Sequence, residues 1–82
     1  MNLQQRVAAV ILRWPWEADH VPHGWDIQGQ IRRQGGEVAL PSIVAALEAL
    51  AKEHAIRLGP PIDGGNRQIL EVFPTRLRAL VP

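Results

Sequence analysis

Cysteine is absent from this chain, and aromatic residues make up only 5% of it. Without cysteine there is no disulfide framework, no thiolate nucleophile and no cysteine-based zinc site. Nothing therefore points to secretion, and the expected compartment is the cytoplasm. The scarcity of aromatics means that a core must be built mostly from Leu, Ile, Val and Ala. A strong charge of either sign is also lacking: the net charge is +1, so any attraction to a polyanion has to come from where the charges lie. Long apolar runs are missing too. The stretch from Val7 to Leu12 is too short to cross a bilayer and its flanks do not suit a signal peptide, so no membrane partner is expected. At 82 residues the chain has room for one domain, taken as 1–82, and a core this small gains from a partner subunit.

What is present is well punctuated. Leu3, Val7, Val10, Ile11 and Trp14 fall on one face at helical spacing, and Pro15 stops that helix. A loop to Pro22 follows, carrying Trp16, Glu17 and Asp19. A second helix is predicted from Gly24 or Trp25, burying Ile27 and Ile31 and ending at Gly35 and Gly36. Its Arg32 and Arg33 suit a helix C-terminus electrostatically. A third helix, about 41–54, has Pro41 at its start and a buried stripe of Ile43, Leu47, Leu50 and Ala51. Ala55 to Leu58 and Gln68 to Phe73 read as strands about a turn in which Asp63, Gly64 and Gly65 supply positive-φ positions, while Pro60 and Pro61 keep the tip from pairing. Pro74 ends the hairpin, and Arg76 to Val81 can form a last short helix.

Three helices, a β-hairpin and a short C-terminal helix in this order are the elements of an α+β winged helix-turn-helix domain with the hairpin (about 55–73) as wing. That architecture most often binds nucleic acid. The charges favour its hairpin end. Residues 37 to 54 set Lys52 against Glu37, Glu48 and Glu53, a balance of −2, whereas residues 55 to 82 set Arg57, Arg67, Arg76 and Arg78 against Asp63 and Glu71, a balance of +2.

HGWDIQGQI resembles the HGY-x-I segment that opens the second helix of PadR-type winged-helix regulators, with Trp25 in place of tyrosine. The likeness continues through Gly35 and Gly36, SIVAALEAL at Ser42 to Leu50, and NRQILEVFPTRLRAL at Asn66 to Leu80. It covers most of the chain from Ala8 onward. Pro41 and Val44 stand where the family has a glycine and a tyrosine, His54 replaces the glycine that ends the third helix, and the loop before HGW is longer. The long C-terminal dimerisation helices of full PadR regulators have no counterpart, so the resemblance is to a minimal form.

The resemblance implies a transcription regulator that binds double-stranded DNA, with the third helix in the major groove and the wing on the backbone. Ser42, Ala45, Ala46 and Ala49 would then face the bases. Serine can hydrogen-bond to either base pair and alanine can touch a thymine methyl, but no Arg, Asn or Gln stands there for bidentate readout. Arg32, Arg33, Arg57 and Arg67 would hold phosphates, with Gln28, Gln30, Gln34 and Asn66 as neutral contacts. The plain alternative for these charges is a solvated surface. A homodimer is expected, with the first helix meeting the apolar C-terminus of Leu77, Leu80 and Val81.

A second reading uses the same scaffold as a protein-interaction module, because an alanine-rich helix face admits another backbone and Trp14 and Trp16 offer aromatic anchors. An enzyme is not expected. His20 and His23 beside Asp19 lack further ligands at a recognised spacing, Ser42 has no neighbouring base, and the DGGNR stretch lacks the context of a phosphate-binding loop. No cofactor or metal is implied.

Overall fold

The computed structural model describes residues 1–15 and 22–82. Trp16, Glu17, Asp19 and His20 lie outside the described residues.

Four helices and one two-stranded antiparallel hairpin make an α+β arrangement among the described residues. Helix α1 (Leu3–Arg13) begins with reciprocal capping: the Gln5 amide donates to Asn2 Oδ1 at 2.8 Å, and the Asn2 amide donates to Gln5 Oε1 at 3.0 Å. Two donors that the first turn leaves without helical partners are thereby satisfied. Helix α2 (Gly24–Arg33) starts where the Asp26 carboxylate accepts the His23 amide at 3.0 Å. It ends in a Schellman turn: the Gly36 amide donates to Ile31 O, the Gly35 amide donates to Arg32 O, and Gly35 takes φ 89°.

Helix α3 (Leu40–Lys52) has Pro41 in its first turn and closes in the same way. The His54 amide donates to Ala51 O and the Ala55 amide to Leu50 O, with His54 at φ 58°. A histidine thus stands in the left-handed position that glycine usually fills. The chain turns at once into β1 (Ile56–Leu58), which pairs with β2 (Ile69–Val72) in the register Ile56 to Val72, Arg57 to Glu71 and Leu58 to Ile69. The shift between the last two pairs leaves Leu70 as an extra residue, a β-bulge. At the tip, Asp63–Gly65 form a 3₁₀ turn in which Gly64 and Gly65 adopt φ 71° and 79°. Helix α4 spans Pro74–Ala79. Pro74 therefore opens this helix, since its fixed φ and missing N–H suit a first-turn position.

The core gathers Val7, Ile11, Ile27, Ile31, Ile43, Leu47, Leu50, Ile69 and Leu77, all without solvent exposure. It lies where α1 packs on α2, α3 and α4, and where α2 and β1 pack on α3. The predicted stripe on α3 is corrected at one place. Ala46 is buried and Ala51 only half-buried, because Ala46 stands one turn after Ile43 and one turn before Leu50 and so shares their side. The apolar C-terminus is corrected as well. Leu77 is buried in the chain's own core, so it is withdrawn from the surface expected to join two copies, while Leu80 and Val81 pack against that core and stay half-buried. No helix among the described residues is long and apolar enough to cross a membrane.

Candidate nucleic-acid interface

Burial of Ile43, Ala46, Leu47 and Leu50 fixes which side of α3 meets solvent. Pro41, Ala45, Glu48, Ala49 and Lys52 line one shallow depression along that side, at the i, i+4, i+7, i+8, i+11 spacing of a single helix face. Ser42 is exposed beside it in the first turn. Three of the four residues expected to face a groove, Ser42, Ala45 and Ala49, thus share the outer half of the helix. Ala46 does not: at 7% exposure it belongs to the core and cannot touch a base. Glu48 and Pro41 were missed, although the phase set by the buried stripe would have placed both.

The hairpin is held against the start of α2. Ile69 donates to Pro22 O at 2.9 Å, Gly24 donates to Arg67 O at 3.1 Å, and His23 and Gln68 form a β-bridge. Asn66 lies beneath this strap with no exposure; its Oδ1 accepts the Arg67 amide at 2.9 Å, and its Nδ2 has no partner among the described residues. It was expected as a neutral phosphate contact. The structure corrects this, because a side chain sealed between the hairpin and α2 cannot reach a ligand on the surface.

Each expected phosphate contact has its own local setting. Arg67 runs from the hairpin toward α3: its Nε donates to Gly59 O at 2.7 Å, and its Nη1 lies 4.0 Å from Glu48 Oε1. Arg57 Nε donates to Glu71 Oε1 at 3.2 Å across the strand pair. Arg32 lies 3.2 Å from Glu37 at the end of α2, and Arg33 beside it is exposed. These ion pairs are solvent-exposed, apart from the partly covered Arg67, and such pairs are worth roughly 0–1 kcal/mol, so a phosphate can displace them. Gln28 is committed inward, its Nε2 donating to Val38 O at 2.9 Å and bracing the connection between α2 and α3. Gln30 and Gln34 border a recess with Arg13 and Trp14 at the far end of α2.

The structure therefore brings Ser42, Ala45, Ala49, Arg57 and Arg67 to the α3–hairpin side, sets Arg32 and Arg33 apart at the C-terminus of α2, and withdraws Ala46, Asn66 and Gln28. Trp14 is half-buried against the core, whereas Trp25 is 48% exposed, its ring edge-to-face with His23 at 5.3 Å. Among the described residues, no three His, Asp or Glu side chains are grouped to hold a metal. The chain matches no protein-family model, no curated protein and no solved structure.

Proposed function

We propose that this chain is a winged helix-turn-helix domain of the PadR-like kind that binds double-stranded DNA as a cytoplasmic transcription regulator. In this reading α3 enters the major groove and the β1–β2 hairpin is the wing. The observation that carries it is Arg67, which extends from the hairpin to within 4.0 Å of Glu48 on the outer face of α3 and so sets a cation where a helix in the groove and a wing on the backbone converge. Small residues at Ala45 and Ala49 allow close approach to base edges, and Ser42 and Glu48 supply hydrogen-bonding groups, glutamate as an acceptor for the cytosine amino group. Direct readout from so few groups is weak, and affinity rests on Arg57 and Arg67, with Arg32 and Arg33 at the edge. A homodimer on repeated half-sites would have to form without Leu77, which is buried within the chain.

Fluorescence anisotropy with a random-sequence duplex at two salt concentrations tests the reading. Binding that weakens steeply with salt is the expected result. No binding at low salt overturns it in favour of a protein-interaction module. That second reading draws on one observation: Arg32, Arg57 and Arg67 already face carboxylates within the chain, which leaves the small-residue face of α3 as the more available contact.

A further inference from the structure

A cleft of about 390 Å³ lies between the end of α3, strand β1 and the start of α4. Arg57, Arg67 and Arg76 line it together with His54, Ile56 and Leu58. Its charge is not fully countered from within. Arg57 meets Glu71 and Arg67 meets Glu48, but Arg76 Nη1 donates to the His54 carbonyl at 3.4 Å, a neutral acceptor.

The strand that borders the cleft is an edge. Among the described residues β1 pairs only with β2. Phe73 donates to Ala55 O and Gly59 donates to Gln68 O, so the alternation of an antiparallel ladder turns Ala55, Arg57 and Gly59 toward β2 and Ile56 and Leu58 away from it. Ile56 is sealed at 2% exposure, whereas Leu58 is half-buried and lines the cleft, and the same alternation turns its amide and carbonyl away from β2.

We propose that this cleft binds an extended acidic peptide segment of a partner protein, which pairs its backbone with Leu58 and sets carboxylates against Arg57, Arg67 and Arg76. An edge strand offers a donor and an acceptor together, and an extended peptide backbone answers both. A phosphodiester could meet the guanidinium groups but has no donor for the Leu58 carbonyl. A second copy of the chain is disfavoured in the register that overlaps the whole of β1, since it brings Arg57 against Arg57, and like charges on facing strands destabilise. The inference is independent of DNA binding, although Arg57 and Arg67 serve both surfaces. Arg76 and Leu58 belong to the cleft alone.

The test is an NMR titration of the full chain with the acetylated, amidated peptide Asp-Val-Asp-Val-Asp at low salt. Saturable shifts of the Leu58 amide and of the Nε–H groups of Arg57, Arg67 and Arg76 are expected. Arg76→Gln should weaken the peptide about threefold, the size of one exposed ion pair, and leave duplex binding unchanged. Methylating the backbone nitrogen of the central aspartate should weaken it further. Equal binding of the lysine-for-aspartate peptide, the same shifts from inorganic phosphate or duplex DNA at Leu58, or sedimentation as a dimer that the peptide dissolves would each overturn the proposal.

Discussion

Gly24 and Asn66 share a space that no side chain at position 24 can enter: a Cβ built on Gly24 would overlap Asn66 Oδ1 and press on Leu40. The first turn of α2 is thereby seated directly on the hairpin. Gly24→Ala should cost about 1–3 kcal/mol through overpacking. Asn66→Ala should also destabilise, because the Arg67 amide loses its acceptor. Placed together the two changes should cost less than their sum by about 1 kcal/mol or more, since the smaller residue vacates the contested volume. Urea denaturation of the four proteins checks this, and simple additivity would show that the two residues do not compete.

His54 holds φ 58° at the end of α3, a conformation that costs most L-residues roughly 1–2 kcal/mol. His54→Gly should therefore leave stability unchanged or raise it by up to about 1 kcal/mol, the relief being partly offset by glycine's greater freedom when unfolded. His54→Val should lower it by about 1–2 kcal/mol, because a β-branched residue fits that region worst. The contact with Arg76 uses the His54 carbonyl, so either change keeps it. Thermal melts in which glycine proves worse than valine would contradict the assignment.

Much of this framework was legible in the sequence. Gly35, Gly64 and Gly65 were expected at turn positions and all have positive φ, whereas Asp63, expected with them, does not; Pro15 follows α1, and Ile27, Ile31, Ile43, Leu47 and Leu50 are buried where their spacing put them. The candidate site was harder to read because it depends on tertiary contacts. Asn66 looks like a polar turn residue until the strap from Pro22 to Gly24 covers it, and Gln28 looks solvent-facing until Val38 folds back within reach. Ala46 is different. Its burial follows from helix phase, and only the small size of alanine, which suits either side of a helix, concealed it.

Leu47 has no solvent exposure and sits in the central helix, on which α1, α2 and β1 all pack. Leu47→Ala should destabilise by about 2–5 kcal/mol through lost contacts and the cavity left behind, a large share of the 5–15 kcal/mol typical of whole domains. A melting temperature equal to that of the parent protein would refute its place in the core.

Arg67→Ala should weaken duplex binding about equally across sequences and reduce the slope of log affinity against log salt by roughly one. Because Arg67 also donates to Gly59 O, Arg67→Lys is the informative companion: it keeps the charge while losing the planar donor geometry, and so should retain the slope. Ser42→Ala should alter sequence preference more than total affinity. A slope unmoved by Arg67→Ala would take the hairpin off the DNA backbone.

The sharpest separation of the two functional readings comes from adjacent alanines with opposite surroundings. Ala46 is 7% exposed within the core, so Ala46→Arg would force a charge against Ile43 and Leu50 and should unfold the chain. Ala45 is exposed on the outer face of α3 with Pro41, Glu48, Ala49 and Lys52, and Ala45→Arg should melt within about 0.5 kcal/mol of the parent protein, as surface substitutions do. If α3 enters a groove, the new guanidinium adds a cation beside the bases, and duplex affinity should rise with a steeper salt slope. If the same face docks on a partner protein through close helix approach, the added bulk should abolish that contact and leave DNA behaviour unchanged. Circular dichroism shows whether each variant is folded, and anisotropy of the folded Ala45→Arg protein at two salt concentrations reads the sign. A folded Ala45→Arg protein with duplex affinity and salt slope both unchanged would remove α3 from the DNA interface.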